Sequence, residues 1–320
     1  MRATSQAQPN IALVKYWGKR DAAKNLPAAG SLSVTLESLW TRMSVSFDGV
    51  GKGDTLLVNG EEAPAMLPRV QQCLDELAGG KRPAAAISSE CNFPIAAGLA
   101  SSASSFAALV VAANSALQIN RSTLQMAQSA GHASGSAARS LYAGIVELRT
   151  GDDDIDVASI AAPGDWPLLV TVAVTETAAK KTGSGPAMNL SRQTSPFYRE
   201  WLARQDADLE SARTAVANRD FAALAAVTEH NCLKMHSVMW SSRPALVYWN
   251  AATLSCLETV RKLQSDGVPA FFTIDAGPQV KVISEPQAAA TVVAALRNTA
   301  GVVAVMQSAL GAGARLLDSR

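Results

Sequence analysis

The sequence predicts an α+β protein built in two lobes, and three observations carry that reading. The first ninety residues are mostly short alternating runs typical of strands. At Gly98 the texture changes to a long stretch of small, helix-compatible residues. The second half then places three long helical stretches ahead of closing strands. The chain has 320 residues, and at roughly 100–200 residues per domain it has room for about two.

In order along the chain, residues 10–15 are a short apolar run, and residues 31–37 (S-L-S-V-T-L-E) and 42–47 (R-M-S-V-S-F) alternate as strands do. Residues 56–58 lead into Asn59-Gly60, a dipeptide that supplies the positive φ values of a two-residue hairpin turn. A helix is predicted over 68–77, with Pro68 tolerated in its first turn, and a strand over 84–89. The small-residue helix after Gly98 is followed by a helix over 122–129 and strands over 141–148 and 168–174. The segment T-E-T-A-A-K-K-T-G-S-G-P, 175–186, reads as a linker and divides a lobe at 1–178 from one at 179–320. Helices over 196–217, 221–239 and 245–264 follow, then strands over 270–274 and 280–284. A helix over 286–298 and strands over 302–307 and 314–317 close the chain, with no internal repeat or low-complexity tract.

With 48% hydrophobic and 17% charged residues, the chain can bury a large core, which excludes disorder and a disulfide-stapled mini-fold. Its 28 basic against 27 acidic residues leave a net charge of +1, so nothing favours nucleic acid or an anionic membrane as partner. The four cysteines (Cys73, Cys91, Cys232, Cys256) are scattered without metal-ligand spacing and read as free thiols in a reducing compartment. The opening lacks the apolar core of a signal peptide, and no apolar run approaches the ~20 residues of a spanning helix. A soluble cytoplasmic protein is expected.

Four clusters could carry chemistry. N-F-P-I-A-A-G-L-A-S-S-A-S, 92–104, puts Gly98 and the hydroxyls of Ser101, Ser102 and Ser104 at the start of a helix, where free amides and the dipole favour phosphate. It is neither a P-loop nor a dinucleotide fingerprint, and a tightly packed helix entrance explains it equally well. K-Y-W-G-K-R, 15–20, could grip an anion or be a solvated strand end plugged by Trp17. H-A-S-G-S-A-A-R-S, 132–140, offers hydroxyls beside Arg139, whose guanidinium suits carboxylate or phosphate; a capping serine and a surface arginine read as well. F-F-T-I-D-A-G-P, 271–278, ends an apolar run on the carboxylate of Asp275, as a functional group or as turn chemistry. His230 and His236 are six apart on a helix, which is no metal pair, and Asp152–Asp154 read as a solvated loop.

Taken together, N-I-A-L-V-K-Y-W-G-K-R-D, L-P-x-x-x-S-L-S-V-T-L, N-F-P-x-A-A-G-L-A-S-S-A-S, S-G-S-A-x-R-S-L-Y-x-G and D-A-G-P occur in that order. The set resembles the diphosphomevalonate decarboxylases of the GHMP kinase superfamily, from about Asn10 to the last strands. The resemblance implies a two-lobed GHMP kinase fold, with an N-terminal lobe like the second domain of ribosomal protein S5 and a ferredoxin-like C-terminal lobe. It implies an ATP- and magnesium-dependent conversion of mevalonate 5-diphosphate to isopentenyl diphosphate, and a homodimer. Asp275 then matches the catalytic aspartate, Arg139 the arginine that meets the substrate carboxylate, and Lys15 the lysine beside it. Tyr16, Lys19, Ser134, Ser136 and Met188 match substrate-binding positions. Gly98 and Ala100, Ser101, Ser102, Ala103 and Ser104 match the ATP phosphate loop, with Ser102 the candidate near magnesium. Ala29 and Gly30 stand where relatives carry Asn and Ser, and Gly185 stands where they carry a polar or basic residue. Those departures bear on the number of substrate phosphates. The neighbouring readings are a 5-phosphomevalonate decarboxylase, a mevalonate 3-kinase, and a non-catalytic metabolite-binding homologue.

Overall fold

The computed structural model describes residues 1–47, 53–93, 101–178 and 182–319. The first part of the chain forms β1 (Arg2–Ala7), β2 (Asn10–Val14), β3 (Lys19–Asp21), β4 (Leu26–Pro27), β5 (Ser31–Thr35), β6 (Thr41–Ser46), β7 (Thr55–Val58) and β8 (Glu61–Glu62). Next come α1 (Leu67–Ala78), β9 (Ala86–Cys91), α2 (Ser101–Leu117), α3 (Thr123–Ala133), a short 3-10 helix (Ala137–Leu141), β10 (Ile145–Thr150) and β11 (Ile155–Ala161). The remainder forms β12 (Leu169–Val174), α4 (Ser184–Thr194), α5 (Tyr198–Ala203), α6 (Gln205–Asn218), α7 (Phe221–Trp240) and α8 (Ala251–Ser265). It ends with β13 (Ala270–Thr273), β14 (Val280–Ser284), a second 3-10 turn (Pro286–Ala288), α9 (Ala289–Arg297), β15 (Ala304–Ala309) and β16 (Arg315–Ser319). No helix among the described residues is long and apolar enough to cross a membrane.

Three main sheets layer the molecule: β16-β1-β6-β9-β7-β8, β11-β10-β5-β2 and β13-β14-β12-β15. The second is the central layer. Val146, Leu148, Ile155 and Val157 face α2 and α3, while Ile11, Leu13, Leu32, Val34 and Ile145 face the C-terminal lobe together with Val170, Val172, Leu209, Ala212 and Phe271. Every residue of β2 and of β5 is therefore buried. A third core lies between the last sheet and α8 and α9, and a fourth gathers Trp17, Met188, Tyr198, Trp201, Met235 and Met239.

Most predicted elements form within a few residues of expectation, and Asn59-Gly60 makes the expected turn, with φ of 51° and 87°. The differences have physical reasons. The helix predicted over 196–217 breaks at Arg204, because Tyr198 and Trp201 pack into the fourth core whereas Leu209, Ala212 and Val216 pack between the lobes, so the axis must turn. The helix predicted from 245 starts at Ala251, where Asn250 caps it by accepting from the Thr253 amide at 2.8 Å. The linker expected over 175–186 runs into α4 at Ser184. Strand β12 lies between β14 and β15, and β16 returns to the edge of the first sheet beside β1. Strand β1 is unforeseen because R-A-T-S-Q-A carries no large apolar residue; the smallness of Ala3 and Ser5 lets α2 approach until Ser5 Oγ donates to the Ala108 carbonyl at 2.5 Å.

Two chain crossings join the lobes, one between β11 and β12 and one between β15 and β16. The second is pinned to the central sheet: the Gly311 amide donates to the Thr35 carbonyl at 2.8 Å, and the Gly144 amide to the Gly311 carbonyl at 2.9 Å. A Cβ at Gly311 would lie 2.3 Å from the Leu36 carbonyl oxygen, so only glycine allows this approach. Asn231 of α7 makes a further joint. It accepts from the Lys15 amide at 2.8 Å and donates to Gln205 Oε1 (3.0 Å) and Asp208 Oδ2 (2.6 Å). Asn231→Ala leaves buried partners unsatisfied and should cost about 2–3 kcal/mol in denaturant unfolding. It should also slow turnover, because Lys15 loses its anchor; parent-like stability would contradict the joint.

Candidate active site

A cavity of about 730 Å³ opens where the end of β2, the entrance of α2, the α3–β10 connection, the start of α4 and the β13–β14 turn converge. At its floor Asp275 follows the apolar strand β13 and stands 28% exposed, whereas Lys15 is 1% and Lys281 0% exposed. Lys15 Nζ lies 3.0 Å from Asp275 Oδ1, and Lys281 Nζ lies 3.0 Å from Asp275 Oδ2. Lys15 Nζ also donates to the Ala12 carbonyl at 2.8 Å. Burial alone would raise the Asp275 carboxyl, but the two ammonium groups and their hydrogen bonds outweigh it and hold the group well below the usual carboxylate range.

Arg139, on the 3-10 helix, is not a surface residue: it is 2% exposed. Its Nε donates to Ser33 Oγ at 2.9 Å and Asn10 Oδ1 at 3.3 Å, and its Nη1 makes a short bond to Ser31 Oγ. Asn10 Nδ2 is anchored in turn on the Ser136 carbonyl (2.9 Å) and Ser140 Oγ (2.8 Å). Burial pulls the guanidinium down to about 10, against the attraction of Asp275 and Tyr16, so it stays charged. Three buried cations thus face one carboxylate. Among the described residues this is a surplus of positive charge at the floor, which favours an anionic ligand.

The K-Y-W-G-K-R segment divides its labour. Lys15, Tyr16 and Lys19 face the cavity, Trp17 plugs the fourth core with one edge on the cavity wall, and Arg20 binds the Asp152 and Asp154 carbonyls outside it. Tyr16 is pushed up to about 12, chiefly by burial, so its hydroxyl keeps its proton. Gly135 sits against that ring, and a Cβ there would meet it at 2.7 Å. At the outer end Lys19 and Arg69 stand together, neither with a carboxylate partner among the described residues. Burial and then Arg69 draw the Lys19 ammonium below its ordinary value. His132 holds itself at the rim between Glu76 (2.5 Å) and Asp154 (3.0 Å), which leaves neither ring nitrogen for a ligand.

Ser101, Ser102, Ser134, Ser136 and Met188 line the cavity, and Ser134 Oγ donates to Ser102 Oγ at 3.3 Å. Ala103 and Ser104 do not: Ser104 Oγ is engaged with Thr41 Oγ1 at 2.7 Å in the core behind, so only their backbone amides can serve the entrance of α2. Gly98 and Ala100, with Lys180 and Lys181, lie outside the described residues. Gly185 lines the cavity opposite Lys19, 3.8 Å from Nζ to where a Cβ would be. Sequence reasoning did not single out Asn10, Ser33, Arg69, Asn231 or Lys281. The alternation of Ser31, Ser33 and Thr35 in a strand buried on both faces is the signal that could have found the first two. His230 is exposed and His236 buried, and no group of metal-ligating residues occurs among the described residues.

Two sheet-rich lobes with Asp275 and the α2 entrance on the same cavity are an arrangement of the GHMP kinase fold, and this chain has that fold. Residues 7–161 match the diphosphomevalonate decarboxylase-like N-terminal domain, and residues 170–314 the mevalonate 5-diphosphate decarboxylase C-terminal domain. The diphosphomevalonate decarboxylase of Gibberella zeae is 35% identical over 92% of this chain and 84% of its own length. A complex of MDDEF with MVAPP, AMPPCP and magnesium superimposes with a TM-score of 0.92 at 30% identity, covering 100% of this chain and 99% of that one. Mevalonate diphosphate decarboxylase from Staphylococcus aureus superimposes at 0.91 with 32% identity, covering 99% and 98%. The chain belongs to the diphosphomevalonate decarboxylase family. Gly135→Ala, which displaces Tyr16, should raise the substrate KM by about tenfold with the melting temperature little changed, the scale of one lost hydrogen bond. An unchanged KM would remove Tyr16 from substrate binding.

Proposed function

We propose that the chain catalyses the ATP-dependent decarboxylation of mevalonate 5-diphosphate to isopentenyl diphosphate, ADP, phosphate and carbon dioxide. The carrying observation is the pairing of Asp275 with buried cations beside Arg139, with Lys19 and Arg69 lining the same cavity. Those charges suit a substrate that carries both a carboxylate and phosphate. Family membership supports the reading. We extend it to a homodimeric, cytoplasmic enzyme.

In this reading Arg139 fixes the substrate carboxylate and Asp275 orients the tertiary hydroxyl toward the γ-phosphate. Held far below the usual carboxylate range, Asp275 is a weak base, and it acts first as an orienting anion. The first-turn amides of α2 with Ser101 and Ser102 would hold the ATP phosphates, and Ser102 the magnesium. Magnesium supplies charge neutralisation on those phosphates. The hydroxyl oxygen takes the γ-phosphoryl group as ADP leaves and the hydroxyl proton passes to a phosphate oxygen; departure of the new phosphate then leaves positive charge at the tertiary carbon, opposite Asp275. The carbon–carboxylate electron pair then forms the double bond as carbon dioxide leaves Arg139. The 5-phosphomevalonate reading has one observation in its favour: Gly185 offers no donor opposite Lys19.

The test is product analysis with magnesium-ATP and each of mevalonate, 5-phosphomevalonate and mevalonate 5-diphosphate. ADP and carbon dioxide should appear in equal amounts from the diphosphate. ADP without carbon dioxide indicates a 3-kinase, and turnover of the monophosphate alone transfers the reading to that substrate. Asp275→Asn should abolish turnover while ATP binding persists, and Arg139→Lys should fall well over tenfold, about the weight of a lost bidentate contact. Ser102→Ala should raise the KM for magnesium-ATP more than that for substrate. The reverse order would show the α2 entrance to be wrongly assigned.

A further inference from the structure

Lys281 lies outside the cavity lining yet touches its central group. It projects from the middle of β14, an internal strand whose other residues are all buried, and in register it stands between Thr273 of β13 and Val172 of β12. A lysine at the centre of a buried strand is costly unless its ammonium is paired. Its pairing is with Asp275 Oδ2 at 3.0 Å, on the side opposite Lys15. Lys15 alone would neutralise that carboxylate. The second ammonium therefore does more than close an ion pair: it leaves the floor with excess positive charge and fixes both carboxylate oxygens at once.

We propose that Lys281 is a positioning residue for the reaction, holding Asp275 ionised and oriented from behind while substrate carboxylate and ATP phosphate crowd the floor. The proposal rests on Asp275 being the reactive carboxylate, as assigned above. Arriving anions disfavour the charged form of a neighbouring carboxylate, and a cation that the ligands do not contact counteracts this. Among the described residues, the charged or titratable groups facing Asp275 come from four elements. Lys15 reaches it from the segment after β2, Arg139 from the 3-10 helix, Lys281 from β14, and Cys232 and His236 from α7. Burial pushes the Cys232 thiol up and, with Lys15, His236 down to about 3, so both are neutral and the charge balance belongs to the three cations.

Lys281→Met keeps an unbranched stem in an apolar strand and removes the charge. Relative to the parent, kcat should fall at least about tenfold with KM for mevalonate 5-diphosphate within about threefold, as expected when orientation and not binding is lost. The acidic limb of the kcat profile should also move up by about one pH unit or more, because Asp275 regains part of its proton affinity. A folded Lys281→Met with parent-like kcat overturns the proposal, as does a reduced kcat with an unmoved pH profile, which marks packing alone. The parent gives a second readout independent of turnover. Carbon-13 NMR of labelled aspartate, with Asp275 assigned by its loss in Asp275→Asn, should show no titration of that carboxyl from about pH 5 to 8 with mevalonate 5-diphosphate bound. Titration in that window overturns the proposal even if Lys281→Met does not fold. Failure of the reaction assignment is distinguishable, since Asp275→Asn would then retain parent activity.

Discussion

The architecture depends on one carboxylate held at the seam of two lobes. Asp275 comes from the turn between β13 and β14, and one of its cations comes from the far side of the seam, at the end of β2. The N-terminal lobe alone leaves a charge unsatisfied, because Lys15 is buried at the joint and pairs across it with Asp275, which Lys281 of the same C-terminal sheet also holds. An ionic contact that is costly to desolvate becomes tolerable when it specifies a unique docking. Specificity of docking is what a bisubstrate reaction at a seam demands.

The rest of the fold supports that contact with an apolar core packed between the lobes. The buried part of the central sheet is largely apolar, with Asn10, Glu147 and the row Ser31, Ser33 and Thr35 as polar exceptions, and Ser31 and Ser33 orient Arg139. Small residues recur wherever backbone must come close. Ser5 lets α2 lie on β1, Gly135 makes room for Tyr16, and Gly311 lets the returning chain press on Leu36. The anchoring of Lys15 on Asn231 shows the same economy, because one side chain joins α6, α7 and the segment after β2.

Much of this was legible in the chain. Asp275 at the end of an apolar run, Arg139 behind S-G-S-A, and the serines at the start of α2 could each be selected as chemistry-bearing, and all but the buried Ala103 and Ser104 side chains converge on one cavity among the described residues. Their convergence could not be read from periodicity, because sequence separations above one hundred residues carry no local signal. Lys281 was hidden for another reason: V-K-V-I-S scans as an ordinary strand with one solvated lysine, and only the sheet order reveals that β14 is internal. The split between α5 and α6 was likewise illegible, since each half is a good helix and only the positions of two separate cores force the bend. The same applies to β12, whose partners are more than one hundred residues downstream.

The return of β16 to the first sheet has a mechanical consequence. The lobes are joined not by a single tether but by two covalent crossings, one after β11 and one before β16, and the latter is clamped to the central sheet through Gly311. Parting the lobes would strain two backbone connections at once, and β16 cannot leave the first sheet until the clamp at Gly311 is broken. The placement of Asp275 beside Lys15 is thereby backed by the connectivity of the chain as well as by side-chain contacts.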